Sequence, residues 1–194
     1  MSIVAVILAA DHGQGFPTPK YLSPVRGSTL LDAVVADATS WPVDEVMVVL
    51  GADAQEVEAG TDLQGVSVLV DPEWAEGAAS PIRAALDLLS RDRDVSHVLL
   101  ARGDQPGIGA GVVDRITAAA RAEHVDAVVP KYRYALGWPV AVARSLWDVF
   151  LGLEGAIDVH DLIATHASST HEVWFDHLSP AVITGVDDLP RARR

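Results

Sequence analysis

Two side chains in this 194-residue chain are suited to handling a phosphorylated ligand, Lys20 and Asp104. Lys20 closes a loop (Asp11-His12-Gly13-Gln14-Gly15-Phe16-Pro17-Thr18-Pro19) that follows abruptly on the apolar run at residues 3–10. The glycines let the backbone turn close to a ligand, and the lysine can neutralise phosphate charge. Asp104, in Arg102-Gly103-Asp104-Gln105-Pro106, follows a second apolar run. A carboxylate there suits Mg2+, a hard cation that takes oxygen ligands and bridges substrate phosphates, and Gly103 would let the ligand come near the backbone. Asp71 ends a third run and could hydrogen-bond a ribose or a base. Each has a plainer alternative: an ordinary β-to-α turn with Lys20 solvated at its rim, Asp104 capping the next turn, and Asp71 opening a turn before Pro72.

Other chemistries lack their residues. There is no cysteine, which excludes disulfides and thiolate metal sites. His160, His166, His171 and His177 are spaced too loosely for a histidine pair on one helix face, and they read as surface or loop residues. No G-x-S-x-G, phosphate-binding Walker loop or G-x-G-x-x-G occurs, which weakens hydrolase, kinase and dehydrogenase readings.

The elements that must position these residues alternate. Apolar, β-branched runs at residues 3–10, 45–51, 66–70, 97–102 and 126–130 read as buried strands. Helical spacing covers a segment capped by Ser28, then residues 53–60, 82–90 (with Ser80 as N-cap and Pro81 in the first turn) and about 111–123. A β-α-β rhythm of this kind predicts right-handed crossovers and a doubly wound sheet, in which ligands sit at the carboxyl ends of the strands. After residue 131 the rhythm changes to an aromatic turn (132–139), a short strand (140–143), helices at 145–151 and 159–165, and apolar segments at 172–175 and 181–183.

The length suits one domain with a sizeable core. A net charge of −13 argues against a general nucleic-acid surface, but a single lysine with a divalent metal can still hold a triphosphate. No uncharged run reaches bilayer length and the start lacks a basic leader, so the expectation is a cytoplasmic protein with no membrane contact.

Taken in order, several motifs are similar to those of the MobA-like nucleotidyltransferases. Leu8-Ala9-Ala10 with Lys20 resembles the family's L-A-A-G-x-G-x-R-M-G-x-x-K, and residues 71–80 its N-x-x-W-x-x-G-x-x-S. Gly103-Asp104-Gln105-Pro106 resembles G-D-Q-P, Gly137-Trp138-Pro139-Val140 resembles G-H-P-V, and residues 152–156 resemble G-D-x-G-A. The resemblance implies a single α/β domain over 1–194, Rossmann-like and three-layered with a mainly parallel sheet of the nucleotide-diphospho-sugar transferase type. Its nucleotide-binding half would be about 1–107 and its acceptor-binding half about 108–194. It implies Mg2+-dependent transfer of a nucleotide from CTP or GTP to a phosphorylated acceptor such as molybdopterin, with Lys20 and Asp104 catalytic. Leu8, Ala9, Ala10, Asp11, Gly13, Asp71, Gly77, Ser80 and Gly103 would join Lys20 around the nucleotide. Tyr134, Gly137, Trp138 and Pro139 would face the acceptor, and Asp104 and Asp188 would hold the metal.

The chain departs from the pattern in its first loop, where the family's Gly, Arg, Met and Gly are Asp11, Gly15, Phe16 and Pro17. Asp11 puts negative charge where backbone N–H groups should face a triphosphate. The alternative reading is a non-catalytic member that binds a nucleotide or cofactor precursor or partners a molybdoenzyme or its maturation factor. Transfer to a different phosphorylated small molecule is a third.

Overall fold

A strand buried on both faces must supply apolar side chains to two layers at once, and the first strand does so by alternation. In the computed structural model, which describes residues 1–122 and 124–189, β1 (Ser2–Ala9) turns Ile3, Ala5, Ile7 and Ala9 to one layer and Val4 and Val6 to the other. Then follow β2 (Pro24–Val25), β3 (Ser28–Thr29), α1 (Leu30–Ala38), β4 (Glu45–Leu50), α2 (Ala54–Gly60), β5 (Ser67–Val70) and α3 (Ala79–Ser90). The chain continues through β6 (Val95–Arg102), α4 (Ala110–Ala122), β7 (Ala127–Tyr132), β8 (Ala135–Leu136) and β9 (Val140–Ala143). It ends with α5 (Trp147–Leu151), α6 (Val159–His166) and β10 (Thr170–Phe175).

These elements make one α/β domain around a sheet of order β10-β7-β9-β6-β1-β4-β5. The pairings of β6, β1, β4 and β5 with one another are parallel, as is that of β7 with β10. Leu31, Val34 and Ala38 of α1 and Val113, Ile116 and Ala120 of α4 pack on one face. Ile82, Leu86 and Leu89 of α3, Trp147 and Phe150 of α5, and Val159 and Ile163 of α6 cover the other. Three layers result, as expected. Truncating Phe150, 1% exposed in the second layer, to alanine leaves a cavity. It is expected to lower stability by about 3–5 kcal/mol in urea denaturation.

The expected succession of parallel strands breaks once. β7 does not lie beside β6, because β9 runs antiparallel between them, pairing Val98 with Val142 and Val128 with Ala141. The cause is the hairpin of β7 and β8, which turns at Arg133 (φ 51°) and sends the chain back into the sheet.

Two helix starts also differ from the sequence reading. Thr29, not Ser28, caps α1: its side chain accepts from Asp32 N while the Asp32 carboxylate accepts from Thr29 N. This reciprocal pair satisfies two orphan donors, and Ser28 pairs instead with Val25 in the small hairpin. Ser80 and Pro81 lie inside the first turn of α3, because the chain turns at Gly77 and is already helical at Ala79. Residues 181–183 form no strand; Ile183 N donates to Asp104 O at 2.8 Å. Glu123, Pro190 and the basic end 191–194 lie outside the described residues.

Candidate active site

Parallel pairing of β1 with β6 sets Leu8 opposite Arg102, so the two strands end side by side. The loop after β1 and the Gly103-Asp104 step after β6 therefore share one edge of the sheet. Lys20 and Asp104, 84 residues apart in sequence, meet there with Lys20 Nζ 2.6 Å from Asp104 Oδ2. Both are buried, at 6% and 3% exposure. Arg102 grips the same carboxylate with two bonds, Nε to Oδ1 at 2.8 Å and Nη2 to Oδ2 at 3.0 Å. Burial pushes the Asp104 carboxyl up, but Arg102 and Lys20 outweigh it and hold the group below the ordinary carboxylate range.

Asp11 turns toward this pair. Lys20 Nζ lies 3.3 and 3.2 Å from its two carboxylate oxygens, and the Tyr21 hydroxyl donates to Oδ2 at 2.7 Å. Burial, followed by the charges of Asp11 and Asp104, raises the Tyr21 phenol well above its usual value, so it stays a donor. Asp11 Oδ1 also accepts from Gly13 N at 2.8 Å, so a backbone N–H that could face an anion is already satisfied. Gly13 (φ 64°) lies against the lysine stem; a Cβ added there would sit 2.2 Å from Lys20 Cβ. Gly13→Ala is accordingly expected to cost about 1–3 kcal/mol from backbone strain alone. It also pushes Lys20 off Asp104, a loss that urea denaturation would register.

A cavity of about 410 Å³ opens over this edge. Its walls are Leu8, Ala10, Asp11 and His12, then Trp74, Ala75, Gly77 and Ala78 of the turn before α3, Pro81 and Ile82 of α3, Arg102 with Asp104, Trp138, and residues 157–160. The far wall is held to the near one where Gly77 (φ 117°) packs on Gly155 and Ala79 N donates to Gly155 O at 3.1 Å. His12 stacks on Trp74, with centroids 6.4 Å apart, and its Nδ1 lies 3.1 Å from Asp53 Oδ2. His160 meets Trp138 edge-on at 5.6 Å. Its Nε2 donates to Gly137 O at 2.9 Å, since a carbonyl can only accept. Asp158 caps α6 by accepting from His160 N and Asp161 N.

Of the residues expected around a nucleotide, Leu8, Ala10, Asp11 and Gly77 line the cavity, as does Asp104, expected to hold the metal, and Lys20 stands behind Asp11 and Asp104. Ala9 faces the opposite helical layer. Gly103 serves packing, not ligand approach: a Cβ there would lie 2.7 Å from Ala9 Cβ and 2.9 Å from Leu8 O. Ser80 is buried within α3. Asp71 is also buried; its Oδ1 accepts from Glu73 N, and its Oδ2 has no partner among the described residues. Neither Ser80 nor Asp71 lines the cavity.

Trp138 is the one expected acceptor residue on the cavity wall. Gly137 and Pro139 are buried behind it, and a Cβ on Gly137 would lie 2.7 Å from the Tyr132 ring. Tyr134 is 96% exposed at the tip of the β7–β8 hairpin and away from the cavity, because the turn at Arg133 sends it outward. Asp188 does not line the cavity either. Its Oδ2 accepts from Thr184 N, Thr184 Oγ1 and Gly185 N, which commits that oxygen to its own turn.

The sequence reading missed Arg102, Trp74, His12 and His160 as cavity residues. Arg102 and Trp74 stood inside the motifs quoted, while nothing local separates His12 and His160 from surface histidines. Among the described residues no three His, Asp or Glu side chains cluster as a metal centre. Mg2+, however, commonly takes only one or two carboxylates plus phosphates and water. Asp104 and Asp11 both contact Lys20 Nζ, so they already share one cation and fit that sparser demand.

Known proteins share this fold. Nicotine blue oxidoreductase of Paenarthrobacter nicotinovorans is 33% identical over 120 residues, 61% of this chain and 57% of that protein. A bifunctional GlmU of Burkholderia multivorans matches over only 25% of its own length, so the chain spans from a quarter to just over half of these relatives. A crystal structure of an Rv0371c homolog from Mycobacterium sp. strain JC1 superposes with a TM-score of 0.87 at 31% identity, over 97% of this chain and 93% of that one. A manganese complex of Rv0371c from Mycobacterium tuberculosis H37Rv superposes with a TM-score of 0.85 at 27% identity, over 100% and 98%. The model of the MobA-like NTP transferase domain matches residues 5–171, from β1 into β10, and the chain belongs to that family.

Proposed function

We propose that the chain transfers a nucleotidyl group from a nucleoside triphosphate, CTP or GTP, to a phosphorylated acceptor such as molybdopterin. An acceptor phosphate oxygen bonds to the α-phosphorus, the bond from that phosphorus to its bridging oxygen breaks, and pyrophosphate leaves. The observation that carries this reading is the buried Lys20–Asp104 pair beneath an open cavity, at the carboxyl ends of two adjacent parallel strands. Ligands of open α/β sheets bind at such edges. The cavity draws walls from both halves of the chain, consistent with a nucleotide half over about 1–107 and an acceptor half over about 108–194.

Each residue contributes through position and charge. Lys20 supplies positive charge next to Asp104, where negative charge gathers on the phosphates during in-line attack. Trp138 and Trp74 offer flat apolar surface to an acceptor ring or a base. Asp104 and Asp11 would hold the divalent cation, and the manganese found in the related Rv0371c structure supports such an ion. When bound, Mg2+ polarises the phosphoryl oxygens.

One observation favours a second reading. Asp11 holds Lys20 with its carboxylate, as would suit a protein that binds a nucleotide without transferring it. The name of the nicotine blue relative also shows that similar chains are not all called transferases. The experiment is incubation with CTP, GTP or ATP, with Mg2+ or Mn2+ and molybdopterin, read by pyrophosphate release alongside calorimetric binding. Turnover supports transfer, binding without turnover supports the second reading, and no nucleotide binding sinks both.

A further inference from the structure

Lys20, the cation that the sequence offers to phosphates, is not on the cavity wall. Its ammonium contacts both oxygens of Asp11 and one of Asp104, its stem lies against Gly13, and only 6% of the residue is exposed. Among the described residues Arg102 is the only Lys or Arg lining the cavity, and its side chain is 35% exposed. A guanidinium carries five N–H donors. Arg102 uses Nε and Nη2 on Asp104, whereas Nη1 makes no hydrogen bond to the described residues.

The first loop has no arginine of its own. Gly15, which stands where the family pattern has arginine, sits at φ 88° in open space, a conformation that L side chains rarely adopt. We infer that Arg102 is the phosphate-binding guanidinium of this site, presented from the end of β6, and that it receives the polyphosphate of the ligand through Nη1 while Asp104 fixes its plane. Asp104 thereby acts twice, as partner of Lys20 and as the clamp that aims Arg102. A planar fork held by two bonds to a buried carboxylate is preorganised for an anion in a way that a free lysine is not.

This inference rests on the nucleotide reading only for the identity of the ligand, so inorganic pyrophosphate is the probe that separates the two. Calorimetric titration with pyrophosphate is expected to show binding to the native protein. Arg102→Gln should weaken it by on the order of ten- to a hundred-fold, the value of one charge-assisted contact, and Arg102→Lys should recover part of the loss. Unchanged pyrophosphate affinity in Arg102→Gln overturns the inference, as does a native protein that does not bind pyrophosphate. The native protein also gives a test that needs no variant: pyrophosphate should protect Arg102 from phenylglyoxal, located by mass spectrometry, and equal modification with and without it overturns the inference. Parallel titration with CTP and GTP reads the nucleotide proposal by itself. Pyrophosphate binding that depends on Arg102, without nucleotide binding, would leave the anion site standing and remove the transferase reading.

Discussion

Asp104→Asn is expected to reduce pyrophosphate release by at least about a hundredfold in kcat, the scale seen when one preorganised electrostatic group is removed from a reaction centre. Asparagine keeps the shape and can still accept from Arg102, but it strips the negative charge that Lys20 and Arg102 share. Steady-state assays should show the loss mainly in kcat, with nucleotide affinity altered less. The same variant has a pH consequence with a definite sign. In the folded protein the Asp104 carboxyl is held below its ordinary value of 3.8. Between the lowered native value and 3.8 the unfolded chain binds the proton more readily. The stability contributed by this carboxylate is thus fully present above that window and is lost as pH falls through it. Urea denaturation followed from neutral pH down to about pH 3 should therefore show a shallower acid decline in Asp104→Asn than in the native protein. An identical acid limb in both would contradict the ion-pair account.

Lys20→Met is expected to lose both turnover and stability. Methionine has a comparable stem to lay against Gly13, so the apolar packing survives while the ammonium disappears. Asp104 then keeps Arg102 but loses its 2.6 Å partner, and Asp11 retains only the Tyr21 and Gly13 donors. Removing one member of a buried ion pair typically costs 3–5 kcal/mol. The remaining Arg102 contact places this case near the low end, about 3 kcal/mol. Chemical denaturation measures it directly, and a variant as stable as the native protein would show that Lys20 is not held by its charge. Arg102 stays on the cavity wall in this variant, so pyrophosphate binding should fall less than in Arg102→Gln.

The strands and helices were legible because their signals are local. The β-branched run that becomes β1 reads as a strand buried on two faces without any knowledge of its partners, whereas the start of α1 was misplaced by one residue, at Ser28 and not Thr29, because the hairpin pairing Ser28 with Val25 is a tertiary feature. Lys20 and Asp104 could be singled out because each follows a strand, and strand ends in a parallel sheet share one edge. The sequence by itself determined the three-layer α/β architecture and marked Lys20 and Asp104, which meet at one edge of its sheet. Tertiary structure alone decided the rest, since each remaining feature joins distant segments. The insertion of β9 between β6 and β7 depends on which edge the returning chain finds open. Asp11 reads in sequence as a charge facing a phosphate; in the fold it faces Lys20 and Tyr21. Gly103 looks like room for a ligand, but the end of β1 fills that room. Arg102 becomes the cation on the cavity wall only once Asp104 fixes its plane and Asp11 has taken Lys20. Orientation of a side chain is set by the neighbours that pack and charge it, and those neighbours come from other elements of the chain.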